Sequence, residues 1–317
     1  MTHDSGARIA ILGASGIGKF HADWWTKNGA TVCAIAGSTQ ESAEKTSVLL
    51  AERVGFTGRA YTSLTELLAR ERPDIVDVCL PHRLHFEASK LALEAGCDVL
   101  CEKPLVYDTD KPHTQLLEQA EELVLLAENR GCRFGVCTQY AVGARVFHSL
   151  WQKSHPGEHI ERCDIRLAAP AKGRAPDPRR IWIDLGPHPL SVIQTIAPDA
   201  RVLWETLETD FDGYRAYAAF DMEQADKSIL SCTIETRNTV EEPSHERAFA
   251  FNEYPFVVHG HTDESGNFRA RIVTSDGDHI IPDMMYTLIG EYLAGAPPAD
   301  GRYGVENLGL LLRMLPE

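Results

Sequence analysis

The chain has 317 residues, 44% of them hydrophobic and 24% charged, which suits a folded protein long enough for two domains. Its formal net charge of −15 argues against a general nucleic-acid binder, because neutralising phosphates needs clustered Lys and Arg. No segment approaches the roughly 18 continuous apolar residues of a membrane span, and Met1 to Gly6 lack the charged and apolar regions of a signal peptide.

Residues 8–137 alternate between strand and helix. Arg8 to Leu12 reads as a buried strand, followed by a glycine turn and a helix that stops at Asn28-Gly29. Thr31 to Ala36 is the second strand, and a helix over about 40–54 follows. Ser63-Leu64-Thr65-Glu66 is a capping box that opens another helix. Ile75 to Leu80 is a strand ended by Pro81, and His85 to Ala95 is a helix stopped by Gly96. Val99 to Cys101 is a strand, a long helix spans about 113–130, and Arg133 to Cys137 closes the run. Strands separated by helices of this length imply right-handed crossovers and a parallel sheet.

After residue 140 the pattern changes. A helix over about 142–153 leads to a strand from Ile160 to Ala168, a loop rich in Pro, Arg and Gly, and a helical stretch from Asp184 to Ile196. Strand-like runs then dominate from Val202 to Thr274, joined by short turns such as Asp212-Gly213 and Ser265-Gly266-Asn267, which implies an antiparallel sheet. A final helix is expected over about 283–294. The expected fold is therefore α/β: an N-terminal Rossmann domain with a doubly wound parallel sheet over 1–138, then an α+β domain with a mainly antiparallel open sheet over 139–317. The eight Cys show no C-x-x-C spacing and mostly sit in apolar runs. Buried free thiols in a reducing, cytoplasmic setting are expected.

Four pieces of sequence carry chemistry. Gly13-Ala14-Ser15-Gly16-Ile17-Gly18 lies between the first strand and first helix, where glycines permit a tight turn and a helix N-terminus offers N–H groups to a pyrophosphate. Ser15 replaces the middle glycine of the usual fingerprint. The second strand ends in Gly37-Ser38-Thr39 with no carboxylate before Glu41. Nothing there repels a 2′-phosphate, which tilts the expectation to NADP over NAD. Glu102-Lys103-Pro104 follows the strand Val99 to Cys101 and places an amine where open α/β sheets bind ligands. Asp184 and His188 are spaced by one helical turn and would project from one face into an interdomain cleft. A helix N-cap for Asp184 and a carbonyl-bonded His188 are the structural alternatives. Tyr107 and Lys111 have the Tyr-x-x-x-Lys spacing of short-chain dehydrogenases but precede Pro112, before the long helix, and are set aside.

Gly13 to Ala22, Leu80-Pro81-His82-Arg83-Leu84-His85, Gly96 to Pro104 and Asp184-Leu185-Gly186-Pro187-His188, in this order, resemble the glucose-fructose oxidoreductase / inositol dehydrogenase / rhizopine catabolism (Gfo/Idh/MocA) family over nearly the whole chain. The resemblance implies that Pro81, His85 and Glu102 line the nicotinamide side of the cofactor. It implies that Lys103 contacts substrate and nicotinamide, and that Asp184 and His188 face substrate. The chain departs from the family pattern in having Arg179-Arg180-Ile181-Trp182-Ile183 before the Asp and Ser191 after the His.

The expected activity is hydride transfer between NADP or NAD and a sugar, cyclitol or similar polyhydroxylated small molecule. Gly13, Ser15, Gly16, Ile17, Gly18, Ser38, Thr39, Pro81, His85, Glu102 and Lys103 are the expected cofactor contacts. Lys103, Asp184 and His188 form the catalytic set, and Tyr140, Arg145 and Arg180 are substrate contacts. Arg174, Arg179 and Arg180 either bind an anionic group or form a solvated loop. His259 and His261 have no evident third ligand, so no metal is expected. The expected partners are a small-molecule substrate and a second copy in a homodimer or homotetramer, with no nucleic acid or membrane. Two other readings are a catalytically silent cofactor or sugar sensor and an imine or enamine reductase.

Overall fold

The computed structural model describes residues 6–316, in two units. The first holds the chain through Cys137 together with Met285–Leu308; the second holds Thr138–Met284 and the residues from Gly309 onward.

In the first unit, β1 (Arg8–Leu12), β2 (Thr31–Ala36), β3 (Arg59–Tyr61), β4 (Ile75–Val78), β5 (Asp98–Glu102) and β6 (Phe134–Cys137) form one sheet in the order β3-β2-β1-β4-β5-β6. Every neighbouring pair is parallel. All strands therefore end on one edge, and the order reverses beside β1, where doubly wound sheets bind ligands. Apolar runs such as Ile9-Ala10-Ile11-Leu12 are buried on both sides because helices cover both faces of a parallel sheet. Those helices are α1 (Gly18–Lys27), α2 (Gln40–Val54), α3 (Leu64–Glu71), α4 (His85–Glu94) and α5 (His113–Arg130). Their ends follow local chemistry. Thr39 accepts from the Ser42 N–H to cap α2, and Ser63 accepts from Glu66 to cap α3. Each such cap contributes about 1 kcal/mol. Gly55 and Gly131 close α2 and α5 in the left-handed conformation.

A single boundary near residue 138 misses the return of residues 285–308 to this unit. They cover β6, the last strand of the sheet: Gly135 bridges to Asp300, and the Val136 N–H donates to the Ala299 carbonyl at 3.0 Å. Tyr292, fully buried, meets the Trp25 ring edge-on at 6.1 Å. An edge strand left open would expose unpaired backbone groups.

The second unit is built on an eight-stranded sheet of β7 (Arg162–Pro170), β8 (Arg201–Asp212), β9 (Arg215–Glu223), β10 (Ile229–Thr239), β11 (Glu246–Phe251), β12 (Tyr254–Thr262), β13 (Phe268–Thr274) and β14 (Gly277–Pro282). The order is β14-β13-β12-β11-β7-β10-β9-β8. Only the β7–β10 pair is parallel; the others are antiparallel. Alternate residues of β9 and β10 are buried, the period expected of a sheet covered on one face. That core stacks Phe147 of α6 (Gln139–Ser154) on Phe256 and sets it tilted against Phe249.

The helical stretch anticipated from Asp184 is two helices, α7 (Pro178–Leu185) and α8 (Pro187–Ile196). The first begins earlier because Asp177 accepts from the Arg180 N–H as N-cap and Pro178 occupies the first helical position. The sequence reading also omits β3, β14 and α10 (Gly301–Arg313), which follows α9 (Met284–Leu293).

Candidate functional site

In the first unit the glycine turn joins β1 to α1. Gly13 has φ +83°, and a Cβ there would lie 2.4 Å from the Cys79 carbonyl oxygen. A Cβ on Gly18 would lie 3.0 Å from Ile11 Cγ2. The β1, α1 and β4 backbones thus approach as closely as they do only because these residues are glycines. Ser15, Gly16 and Ile17 are exposed, and no side chain caps α1. Its first-turn N–H groups and the open space above Gly16, where a Cβ would meet nothing nearer than 3.9 Å, suit a diphosphate.

At the end of β2, Ser38 and Thr39 are exposed. The Thr39 hydroxyl already accepts from Ser42 at 3.1 Å, which leaves its proton to donate. Glu41 and Lys45 pair with each other at 2.6 Å, so neither presents an isolated charge to a ribose.

At the ends of β4 and β5 the expected residues divide into two kinds. Pro81 is exposed. His85 is wholly buried, with Nδ1 2.9 Å from the Pro104 carbonyl and Nε2 2.8 Å from the Leu80 carbonyl. Burial pushes its pKa below the usual value. Neutral, the ring donates to one of these carbonyls and sits between the end of β4 and the segment carrying Lys103. Lys103 is half-buried and precedes a cis peptide bond to Pro104. Its N–H donates to Glu102 Oε2 at 3.2 Å.

Glu102 also belongs to a cluster that sequence reasoning missed. Its Oε1 lies 3.1 Å from His21 Nε2, and His21 Nδ1 lies 2.9 Å from Asp77 Oδ2. The Trp25 indole N–H donates to the same Asp77 oxygen at 2.6 Å. Burial is the largest single influence and would lower the His21 pKa, but the charge and hydrogen bond of Asp77, together with the neighbouring Cys79 and Cys137, outweigh it and raise the value well above 6.5. The signal for this cluster was Asp77 itself, a carboxylate inside the apolar run Ile75-Val76-Asp77-Val78.

In the second unit Asp184 lies in the last turn of α7, not at a helix N-cap, and His188 in the first turn of α8; both are half-buried. Gly186 between them keeps helical angles, φ −56° and ψ −35°. A Cβ there would strike the Trp182 carbonyl at 2.5 Å and Leu311 Cδ1 at 2.8 Å. The His188 ring meets Tyr140 at 5.3 Å and 76°. Tyr140 is 2% exposed, and burial pushes its pKa up to about 12. It therefore packs behind His188 and against Phe249. Ser191 is buried, 2.7 Å from the Thr138 hydroxyl and donating to the Pro187 carbonyl at 2.8 Å.

Arg145 is exposed on α6. Arg174, Arg179 and Arg180 line one open cavity of about 950 Å³ with Asp177 and Asp210. Arg180 Nη2 donates to Asn238 at 3.3 Å, and Arg179 donates to the Pro316 carbonyl.

A doubly wound sheet with a glycine cradle at its switch point defines a dinucleotide-binding fold. Residues 7–138 match the Gfo/Idh/MocA model, described as an oxidoreductase family with an NAD-binding Rossmann fold. The chain is 35% identical over 135 residues to D-glucoside 3-dehydrogenase of Escherichia coli K12, covering 42% of this chain and 37% of that protein. It is 32% identical over 123 residues to UDP-N-acetylglucosamine 3-dehydrogenase of Acidithiobacillus ferrooxidans, covering 39% and 34%. The matched region thus spans little more than a third of these relatives. An inositol dehydrogenase homolog from Azotobacter vinelandii, solved with NADH and myo-inositol, superposes with a TM-score of 0.70 at 19% identity, over 97% of this chain and 94% of that one. That likeness is one of fold. Among the described residues, no helix is long and apolar enough to cross a membrane.

Proposed function

We propose that the protein is a nicotinamide-dependent oxidoreductase acting on a sugar, cyclitol or similar polyhydroxylated small molecule. The observation that carries this reading is the placement of Lys103 at the carboxyl end of β5, two strands from the glycine cradle that ends β1. The names of the sugar and inositol dehydrogenase relatives support the substrate class.

The cofactor, when bound, supplies or accepts the hydride. The residues of the chain hold and orient it and manage the proton. The turn from Gly13 to Gly18 and the start of α1 receive the diphosphate. Ser38 and Thr39 donate to the adenosine ribose or its 2′-phosphate, which favours NADP over NAD. The Lys103 ammonium polarises the substrate oxygen, and His188 exchanges the hydroxyl proton near neutral pH. Asp184 supports His188, while Tyr140 backs its ring. Arg145 and Arg180 contact the substrate, Arg180 suiting an anionic substituent.

Fluorescence titration with NADPH and NADH, followed by a polyol and keto-sugar screen, tests the reading. NADPH is expected to bind at least as tightly as NADH. Lys103→Met should keep the cofactor dissociation constant within about twofold while turnover falls by about 10²–10⁴, the range for losing a proton-handling group. Full turnover in that variant sinks the role. Cofactor binding without turnover on any substrate favours a sensor, and reduction of cyclic imines alone favours an imine reductase.

A further inference from the structure

The buried cluster beneath Glu102 has no part in the roles assigned so far. Its members come from four elements: His21 and Trp25 from α1, Asp77 from β4, Glu102 from β5 and Cys137 from β6, with Cys79 just after β4. His21, Trp25 and Asp77 are wholly buried, and the Glu102 side chain is 15% exposed. Two carboxylates in such a place, with one ring between them, call for a cation there. His21 fills that need with one N–H toward each.

The other groups facing the ring do not compete for the charge. The Cys79 sulfur lies 3.4 Å from Nδ1 and the Cys137 sulfur 3.8 Å from Nε2. Burial drives both thiols up, Cys137 to about 12. Both therefore stay protonated at neutral pH. The Trp24 ring meets His21 edge-on at 5.5 Å and brings no charge.

The geometry points to His21 as a positioning residue: anchored to Asp77 through one ring nitrogen, it fixes through the other the Glu102 carboxylate that accepts from the Lys103 N–H, and so sets how Lys103 is presented. Asp77 is itself pinned by Trp25, so each link is one hydrogen bond from a rigid element. The inference rests on the proposed function only in taking Glu102 and Lys103 to face the nicotinamide. There, a fixed Glu102 carboxylate favours the cationic nicotinamide ring of the oxidised cofactor over the neutral ring of the reduced one.

Two measurements on the full chain test it. With histidine rings labelled with ¹⁵N, His21 should show both ring nitrogens protonated at pH 7.5, and Glu102→Gln should lower its pKa. A neutral His21 in the wild type, or a titration untouched by Glu102→Gln, overturns the inference. Separately, the ratio of oxidised to reduced cofactor dissociation constants, measured with NADP⁺ and NADPH or with NAD⁺ and NADH, whichever pair the wild type binds more tightly, is compared in the wild type, His21→Leu, Glu102→Gln and the double variant. Both single variants should weaken the oxidised form relative to the reduced one by about fivefold or more, the lower end of a typical coupling. The double variant should do no more than the larger single one, and His21→Gln, whose amide still donates to Glu102, should recover part of the loss. An unchanged ratio in a natively folded His21→Leu, or additive effects, overturns the inference. If His21→Leu does not fold, His21→Gln carries the comparison. If the wild type binds neither NAD⁺, NADH nor NADPH, the proposed function fails, and the ring titration still decides whether His21 is coupled to Glu102.

Discussion

At the residue scale, His21 makes stability depend on pH. In the folded protein it binds its second proton more tightly than at the unfolded value near 6.5. Its contribution is therefore complete below about pH 6.5 and drains as pH rises toward the folded pKa, by at most about 1.4 kcal/mol per pH unit. Urea unfolding between about pH 6 and 7.5, below the range where unfolded thiols ionise appreciably, should show this decline. His21→Gln should flatten it, and a level wild-type profile would contradict the assignment. The two halves of the candidate site differed in how far the sequence revealed them. Lys103 could be found because its motif is contiguous with the strand that aims it. The bonds of His21 were hidden because they join residues far apart in the chain, and only the misplaced charge of Asp77 hinted at them. Tyr140 and His85 read as ligand contacts from position alone. Their burial, against His188 in one case and between two carbonyls in the other, depends on packing that no local pattern encodes.

At the element scale, the junction of α7 and α8 decides where His188 stands. Gly186 has ordinary helical angles, so it is not required for backbone freedom; it is required because Trp182 and Leu311 leave no room for a methyl group. Trp182 also donates through its indole N–H to the Leu311 carbonyl at 3.0 Å, which limits how far either can yield. Gly186→Ala should cost about 1–3 kcal/mol, the usual range for overpacking a core. Thermal unfolding checks this, and an unchanged midpoint would mean that the helices separate without strain. The strongly patterned elements of the first unit were legible, since caps and glycines mark their ends. The missed ones were those with weak local signals. β3 has only three residues and β14 opens on Gly277-Asp278 and ends in Pro282, and α10 begins with Gly301 and Gly304, which are poor helix formers that fit there because Phe134, Leu105 and Val136 crowd them. The start of α7 was marked by Asp177-Pro178, an N-cap followed by proline, and the reading from Asp184 passed over it.

At the scale of the whole molecule, the second unit's sheet has an outer face of half-buried residues. Arg215, Tyr217, Ala219 and Asp221 alternate there along β9. Arg215 bonds Glu235 at 2.8 Å and lies over the Tyr217 ring at 4.8 Å. A face whose Arg215 is already paired suits a self-complementary contact between copies. Sedimentation is expected to give a dimer or tetramer, and Ala219→Arg should raise its dissociation constant on the order of tenfold or more by burying an unpaired charge. A wild-type monomer at micromolar concentration would refute this. The return of residues 285–308 to β6 has a different consequence, for the order in which the protein is made. A ribosome that has released Cys137 has synthesised every strand of the first sheet but not the tyrosine and the backbone groups that cover its last one. The nascent chain must carry an open edge until residues 285–308 emerge, after the whole of Thr138–Met284 has been made.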